Sequence, residues 1–181
     1  GAVFALTTKV IDVPYIEVDD VLVALGKLAA YVRNQLPNLK VIAITGSQGK
    51  TTAKDLIAHL LEIMGKTIAS KASFNNELGV PLLLLECDEN TQFCVVEMGA
   101  RHKGDIAHLV EIASPNIGVV LNVGHAHIGE FGSREKIAET KGELIAGIPD
   151  SGVAILGNYD PYTPKMAEGM GIKTIIFGES G

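Results

Sequence analysis

The strongest constraint on this chain is the stretch Val41-Ile42-Ala43-Ile44-Thr45-Gly46-Ser47-Gln48-Gly49-Lys50-Thr51-Thr52, where a short apolar run breaks into a glycine loop and then into a helical pattern. Four β-branched or small apolar residues suit a strand buried on both faces. Gly46 and Gly49 let the backbone turn so that successive N–H groups face one concavity, to which the following helix adds its positive end. Such a concavity cradles phosphate. Lys50 supplies a mobile cation for the outer phosphates, and the Thr51 hydroxyl can ligate Mg²⁺. The common spacing of these loops, G-x-x-x-x-G-K-[ST], would put its first glycine at Ile44, so this is the variant T-G-x-x-G-K-T-T. The nucleotide-contacting candidates are then Gly46, Ser47, Gln48, Gly49, Lys50, Thr51 and Thr52. A structural turn without ligand is the plain alternative.

A chain of 181 residues has room for one well-buried domain with appendages, not for two of full size. Its 47% hydrophobic and 20% charged residues fit a globular α/β protein. A formal charge of −6 argues against a nucleic-acid binder, which displays a basic field. An anionic nucleotide would therefore need a local positive site such as the Lys50 loop. Cys87 and Cys94 lack metal-ligand spacing and a disulfide framework, so they read as small buried hydrophobes in a reducing, cytoplasmic setting. The longest apolar stretches fall far short of a membrane span, and the amino end lacks the basic-then-apolar pattern of a signal peptide. Because the chain begins at Gly1 rather than Met, it reads as a piece of something longer.

Residues 2–16 read as extended material interrupted at Pro14 and do not amount to a complete domain. From Asp19 a helical period takes over, with Val21, Leu22, Leu25, Leu28, Ala29, Val32 and Leu36 recurring until Pro37-Asn38 stops it. The helix behind the glycine loop is expected to carry Leu56, Ile57, Leu60, Leu61 and Met64 on one inward face. Strands are expected at 67–69, 93–96, 117–123, 153–156 and 174–177, and helices at 77–85, 105–113 and 133–148. Pro81 falls in the first turn of the helix expected at 77–85, and Ser133 resembles a capping-box start. Strands alternating with helices predict a mainly parallel, doubly wound sheet with helices on both faces, and ligands at the carboxyl ends of its strands.

Two of those strand ends carry candidate chemistry. The strand at 93–96 runs into Glu97-Met98-Gly99-Ala100, and an acid at that tip beside a phosphate loop suits Mg²⁺; a capping or solvated glutamate is the alternative. The strand at 117–123 runs into Gly124-His125-Ala126-His127. One imidazole reaching Mg²⁺ or a phosphate is more economical than a structural zinc site, for which further ligands are missing, and surface hydrogen bonding is equally open. Lys141, taken alone, reads as a solvated helical lysine. The amides of Ser73-Phe74-Asn75-Asn76 could hold a substrate group or bond their own backbone.

Taken in order, Thr45-Gly46-Ser47-Gln48-Gly49-Lys50-Thr51-Thr52, Phe74-Asn75-Asn76-Glu77-Leu78-Gly79-Val80-Pro81, Glu97-Met98-Gly99-Ala100, Asn122-Val123-Gly124-His125-Ala126-His127 and Ala138-Glu139-Thr140-Lys141-Gly142-Glu143 resemble the Mur ligases. The second and third blocks point to the members that join D-alanyl-D-alanine to a UDP-MurNAc-tripeptide in peptidoglycan synthesis. The resemblance implies a three-domain, cytoplasmic, ATP- and Mg²⁺-dependent enzyme, monomeric, without nucleic-acid or membrane partners. Residues 1–37 would end a first, UDP-substrate domain and include a linker helix; residues 38–181 would hold most of the central ATP-binding domain. A carboxyl-terminal domain would be absent, leaving the piece alone without turnover.

The same resemblance assigns catalytic roles to Lys50, His127 and Lys141. It assigns metal contacts to Thr51, Glu97, His127 and a carbamylated Lys141, and substrate contacts to Asn75 and Asn76. The segment Asn158-Tyr159-Asp160-Pro161 departs from the family pattern, with Pro161 in place of a frequent second acid, so no nucleotide contact is carried over to Asn158. Two other readings fit the residues: a sibling ligase of the folylpolyglutamate or cyanophycin synthetase kind, and a nucleotide-binding module with no turnover.

Overall fold

The computed structural model describes residues 3–71, 74–124 and 128–178. Six parallel strands form the central sheet in the order β4-β5-β3-β6-β7-β8. They are β3 (Lys40–Thr45), β4 (Thr67–Ala69), β5 (Phe93–Glu97), β6 (Ile117–Val120), β7 (Val153–Gly157) and β8 (Lys173–Phe177). Every ladder within this sheet is parallel, as alternation of strands and helices requires. The chain leaves β3 toward β4 and β5 on one side, then crosses to β6, β7 and β8 on the other. The carboxyl ends of β3, β5 and β6 therefore face a topological switch point.

One sheet face is covered thickly. Ala29 of α1 (Val21–Asn34), Val80 and Leu84 of α3 (Gly79–Leu85), Ile106 and Leu109 of α4 (Asp105–Ala113), and Leu144 and Ile145 of α6 (Arg134–Ala146) join Val41, Ala43, Cys94 and Val96 in one apolar cluster. Cys87 and Cys94 are free thiols inside it. The opposite face is covered thinly. Ala53, Ile57, Ala58 and Leu61 of α2 (Lys50–Glu62) pack there on Ile42, Ile44, Val95 and Val119.

That geometry corrects one expectation. Ile57 and Leu61 face the sheet, but Leu56, Leu60 and Met64 are 61%, 62% and 69% exposed. The helix carries apolar residues on two stripes, and the sheet selects the one that includes Ala58, whose small side chain permits close approach. The strand expected at 117–123 ends at Val120, beyond which Asn122 and Gly124 bond the glycine loop. A four-residue helix, α5 (Ile128–Phe131), was not foreseen.

The amino-terminal material forms a separate parallel pair, β1 (Ala5–Thr7) and β2 (Tyr15–Glu17). Asp20 caps α1, its Oδ1 accepting the Val23 N–H at 3.0 Å. The helix is tied to the body by Arg33, 8% exposed, which donates to Ala113 O at 3.1 Å, Leu36 O at 3.0 Å and Ser114 O at 3.1 Å. Arg33→Met strips partners from these carbonyls and is expected to destabilise the chain by about 2–4 kcal/mol. A urea midpoint equal to wild type would show that the clasp contributes nothing. No helix among the described residues is long and apolar enough to cross a membrane.

Candidate nucleotide and metal site

Gly49 adopts φ 80°, a left-handed conformation that a side chain would strain, and it caps α2 without a side-chain bond. A Cβ at Gly46 would meet Leu121 Cβ at 2.9 Å, so the loop lies against the segment leaving β6. That segment fixes the loop's shape. Asn122 O accepts Ser47 N–H at 3.0 Å, Asn122 Oδ1 accepts Gln48 N–H at 3.1 Å, and Asn122 Nδ2 donates to Gln48 O at 3.2 Å. Ser47 Oγ in turn accepts the Gly124 N–H at 2.8 Å. Lys50 Nζ curls back to donate to Gly46 O at 3.0 Å, which sets an ammonium over the loop.

Three separate segments meet at Glu97. Its carboxylate is 1% exposed, and Thr51 Oγ1 donates to Oε2 at 2.9 Å while Asn75 Nδ2 donates to Oε1 at 2.9 Å. The Glu97 N–H donates to Ser70 Oγ at 3.1 Å, and buried Lys54 donates to Ser70 O at 2.6 Å and pairs with Asp55 at 2.8 Å. Asn76 plays a different local part: its Oδ1 accepts Gly79 N–H at 3.1 Å and starts α3. Ser73 and the histidines His125 and His127 lie outside the described residues.

Lys141 departs from the solvated lysine its sequence suggests. It is half-buried, and desolvation together with the nearby charge of Lys50 pushes its pKa down to about 8 from 10.5. Its helix is held in place by Glu143, which accepts Gly104 N–H at 2.8 Å and Ala107 N–H at 3.0 Å at the start of α4. The end of β6 is held too: Val123 N–H donates to Asp160 Oδ2, and Arg134 Nη2 donates to Val123 O, both at 2.8 Å.

The donor set suits a small hard cation. A hydroxyl and a carboxylate stand 2.9 Å apart next to the glycine loop, and among the described residues the Thr45 hydroxyl is buried without a partner. Among the described residues no cluster of three or more His, Cys, Asp or Glu side chains could hold a metal alone. Mg²⁺ needs none, since it takes one or two carboxylates and fills its shell with phosphate oxygens and water.

The structure brings Thr51 and Glu97, both singled out in the sequence, within hydrogen-bond distance of each other, whereas the bracing by Asn122, Ser70 and Lys54 was not anticipated. The one available signal was Lys54 itself, a lysine spaced i, i+4, i+7 with the inward-facing Ala58 and Leu61.

Residues 44–181 match the family described as the Mur ligase middle domain. The chain is 53% identical over 150 residues to the UDP-N-acetylmuramoyl-tripeptide–D-alanyl-D-alanine ligase of Mycobacterium tuberculosis, covering 82% of this chain and 29% of that protein. The structure of UDP-N-acetylmuramoylalanyl-D-glutamyl-2,6-diaminopimelate–D-alanyl-D-alanyl ligase from Acinetobacter baumannii superposes with a TM-score of 0.88 at 38% identity, covering 98% of this chain and 40% of that one. The MurF ligase of Thermotoga maritima in complex with ADP superposes with a TM-score of 0.88 at 34% identity, covering 100% and 42%. The chain thus spans about three to four tenths of the length of these relatives.

Proposed function

Because the chain belongs to the Mur ligase family through its middle domain, we propose that it is the ATP-binding part of a ligase that joins D-alanyl-D-alanine to a UDP-MurNAc-tripeptide. We assign residues 1–37 to the end of a UDP-substrate domain plus a linker helix and residues 38–181 to the central domain. A cytoplasmic, monomeric enzyme completes the reading. The observation that carries it is the meeting of Thr51, Asn75 and Glu97 beside the Lys50 loop.

In this reading the loop N–H groups and the start of α2 hold the β- and γ-phosphates of ATP, and Lys50 spreads their charge. Mg²⁺, when bound, would be held by Thr51 and Glu97, with His127 a ligand of a second ion, and would neutralise charge between the two anionic reactants. The tripeptide carboxylate attacks the γ-phosphorus; a new P–O bond forms as the bond to the β-bridging oxygen breaks, and ADP leaves. The D-alanyl-D-alanine amine then attacks the acyl carbon, the C–N bond forms, phosphate departs and the amine loses its proton. Asn75 orients Glu97 and lines the approach of the peptide together with Asn76. Calorimetric titration of the chain with MgADP, and phosphate release by the full-length ligase with all three substrates, test the proposal. Absence of nucleotide binding, or ATP turnover indifferent to D-alanyl-D-alanine, would overturn it.

Lys141 is assigned a carbamate. With a pKa of about 8, roughly a quarter of its amines are neutral at pH 7.5, against about one in a thousand at 10.5. Only the neutral amine adds CO₂. The resulting carbamate also replaces repulsion of Lys50 by attraction. ¹³C-bicarbonate is expected to give a carbamate resonance at pH 8 that fades as pH falls toward 6, because protonation removes the nucleophile, and that is missing in Lys141→Arg. An identical spectrum in that variant would remove the assignment.

A further inference from the structure

Two thiols that the ligase reading leaves unused meet beneath the end of α3. Glu86, Asp88, Glu89 and Asn90 in the turn after α3 are exposed, while Cys87 among them is 7% exposed, so its sulfur lies just under the surface. Cys94 of β5 is 0% exposed and belongs to the same apolar cluster. Cys87 Sγ donates to Leu83 O at 3.7 Å, and the Cys94 thiol hydrogen-bonds the Cys87 sulfur. Both thiols also lie in the field of Arg33. That buried guanidinium directs its donors to the carbonyls of Leu36, Ala113 and Ser114 and to Asn116 Oδ1, and among the described residues it has no carboxylate partner. A cation held without a counter-ion favours a thiolate nearby. The Cys94 hydrogen bond holds the Cys87 pKa below the usual thiol value, with Arg33 assisting and burial, Asp88 and Glu86 opposing. Cys94, which makes that bond and is enclosed, is held well above it. The two sulfurs are therefore unequal, one near solvent and prone to ionise, the other enclosed and protonated.

We propose that Cys87 and Cys94 form a peroxide-reactive dithiol, in which Cys87 attacks hydrogen peroxide and Cys94 resolves the product into a disulfide between β5 and the turn after α3. This chemistry does not depend on the ligase reading. The Cys87 thiolate attacks one peroxide oxygen; an S–O bond forms, the O–O bond breaks, and the released hydroxide takes up the proton that the thiol gave up and leaves as water. Cys94 then attacks the sulfenic sulfur; the S–S bond forms, the S–O bond breaks, and the departing hydroxide takes the Cys94 proton as a second water. Two electrons pass from the sulfurs to the peroxide. Position sets the order of events, because a small oxidant arriving from solvent meets Cys87 first and Cys94 already contacts that sulfur. Only residues 88–93 separate the pair, so closing the ring asks little of the chain. The bond would join the strand that delivers Glu97 to the helix that Asn76 starts.

The test treats the reduced full-length protein with hydrogen peroxide, quenches with catalase, blocks the remaining thiols with N-ethylmaleimide under denaturing conditions, and maps peptides cut after glutamate. Cuts after Glu86, Glu89 and Glu97 place Cys87 on peptide 87–89 and Cys94 on peptide 90–97. The wild type is expected to yield these two peptides joined, and dithiothreitol to part them. Cys94→Ala is expected to stop at a Cys87 sulfenic acid that dimedone captures, and Cys87→Ala to slow oxidation of Cys94 by about tenfold or more. Both thiols found blocked by N-ethylmaleimide after peroxide treatment of the native wild type would overturn the proposal, and that map decides even where a variant does not fold. Joined peptides that form only in urea, or Cys94 oxidised in Cys87→Ala as fast as in wild type, would overturn it as well.

Discussion

Lys50→Ala is expected to lower kcat of the full-length ligase by about a thousandfold or more and to weaken MgATP binding at least tenfold. A thousandfold in rate corresponds to about 4 kcal/mol, a reasonable share for a mobile cation proposed to face charge that moves during phosphoryl transfer. The loop itself should survive. Its shape is set by Asn122 and by the left-handed Gly49, and Lys50 adds only the bond to Gly46 O. Stability within about 1 kcal/mol of wild type, beside a collapse of turnover, would separate lost charge from lost fold. Lys50→Arg is expected to fail nearly as badly, since a planar guanidinium cannot replace a compact ammonium at a single carbonyl. Wild-type affinity for MgADP in Lys50→Ala would remove the phosphate cradle from the argument.

The second large effect belongs to Glu97. Glu97→Gln keeps the shape but gives the side chain one acceptor oxygen, whereas Thr51 and Asn75 both donate to the carboxylate. One of those donors must then face an N–H₂ group. A loss of about a hundredfold in kcat is expected, with the Mg²⁺ concentration at half-maximal activity raised at least tenfold, because a neutral amide is a poor ligand for a hard cation. The Mg²⁺ dependence is the deciding measurement. If it is unchanged while stability falls, Glu97 is a structural tie between three segments and not a metal ligand.

Much of this fold is written locally. The β-branched run before Gly46, the Asp20 cap and the breaks at Pro37 and Gly65 declare strands and helices within a few residues of their ends. What stayed hidden depends on contacts between distant parts. Leu56 and Leu60 have the right period and the wrong face, because α2 carries two apolar stripes and only the sheet decides between them. Lys141 looks ordinary in its helix; its perturbation arises from burial beside Lys50, far away in sequence. Asn122 reads as a strand residue, yet its side chain spans to Gln48. For the candidate site the motif residues were legible, while the bonds that Glu97 makes with Ser70 and Asn75 exist only after distant segments have been brought together.

The unequal covering of the sheet has a mechanical consequence. Among the described residues α2 is the one helix packed on the thin face, and its amino end is also the floor of the phosphate loop. In the proposed reading, the element that receives the nucleotide should therefore be the softest part of the sheet's cover. Amide protons of α2 should trade with solvent sooner than those of α4 or α6, and ligand at the loop should slow that trade across the whole helix. Occupancy would then be reported on the back of the molecule as rigidity, well away from the phosphates.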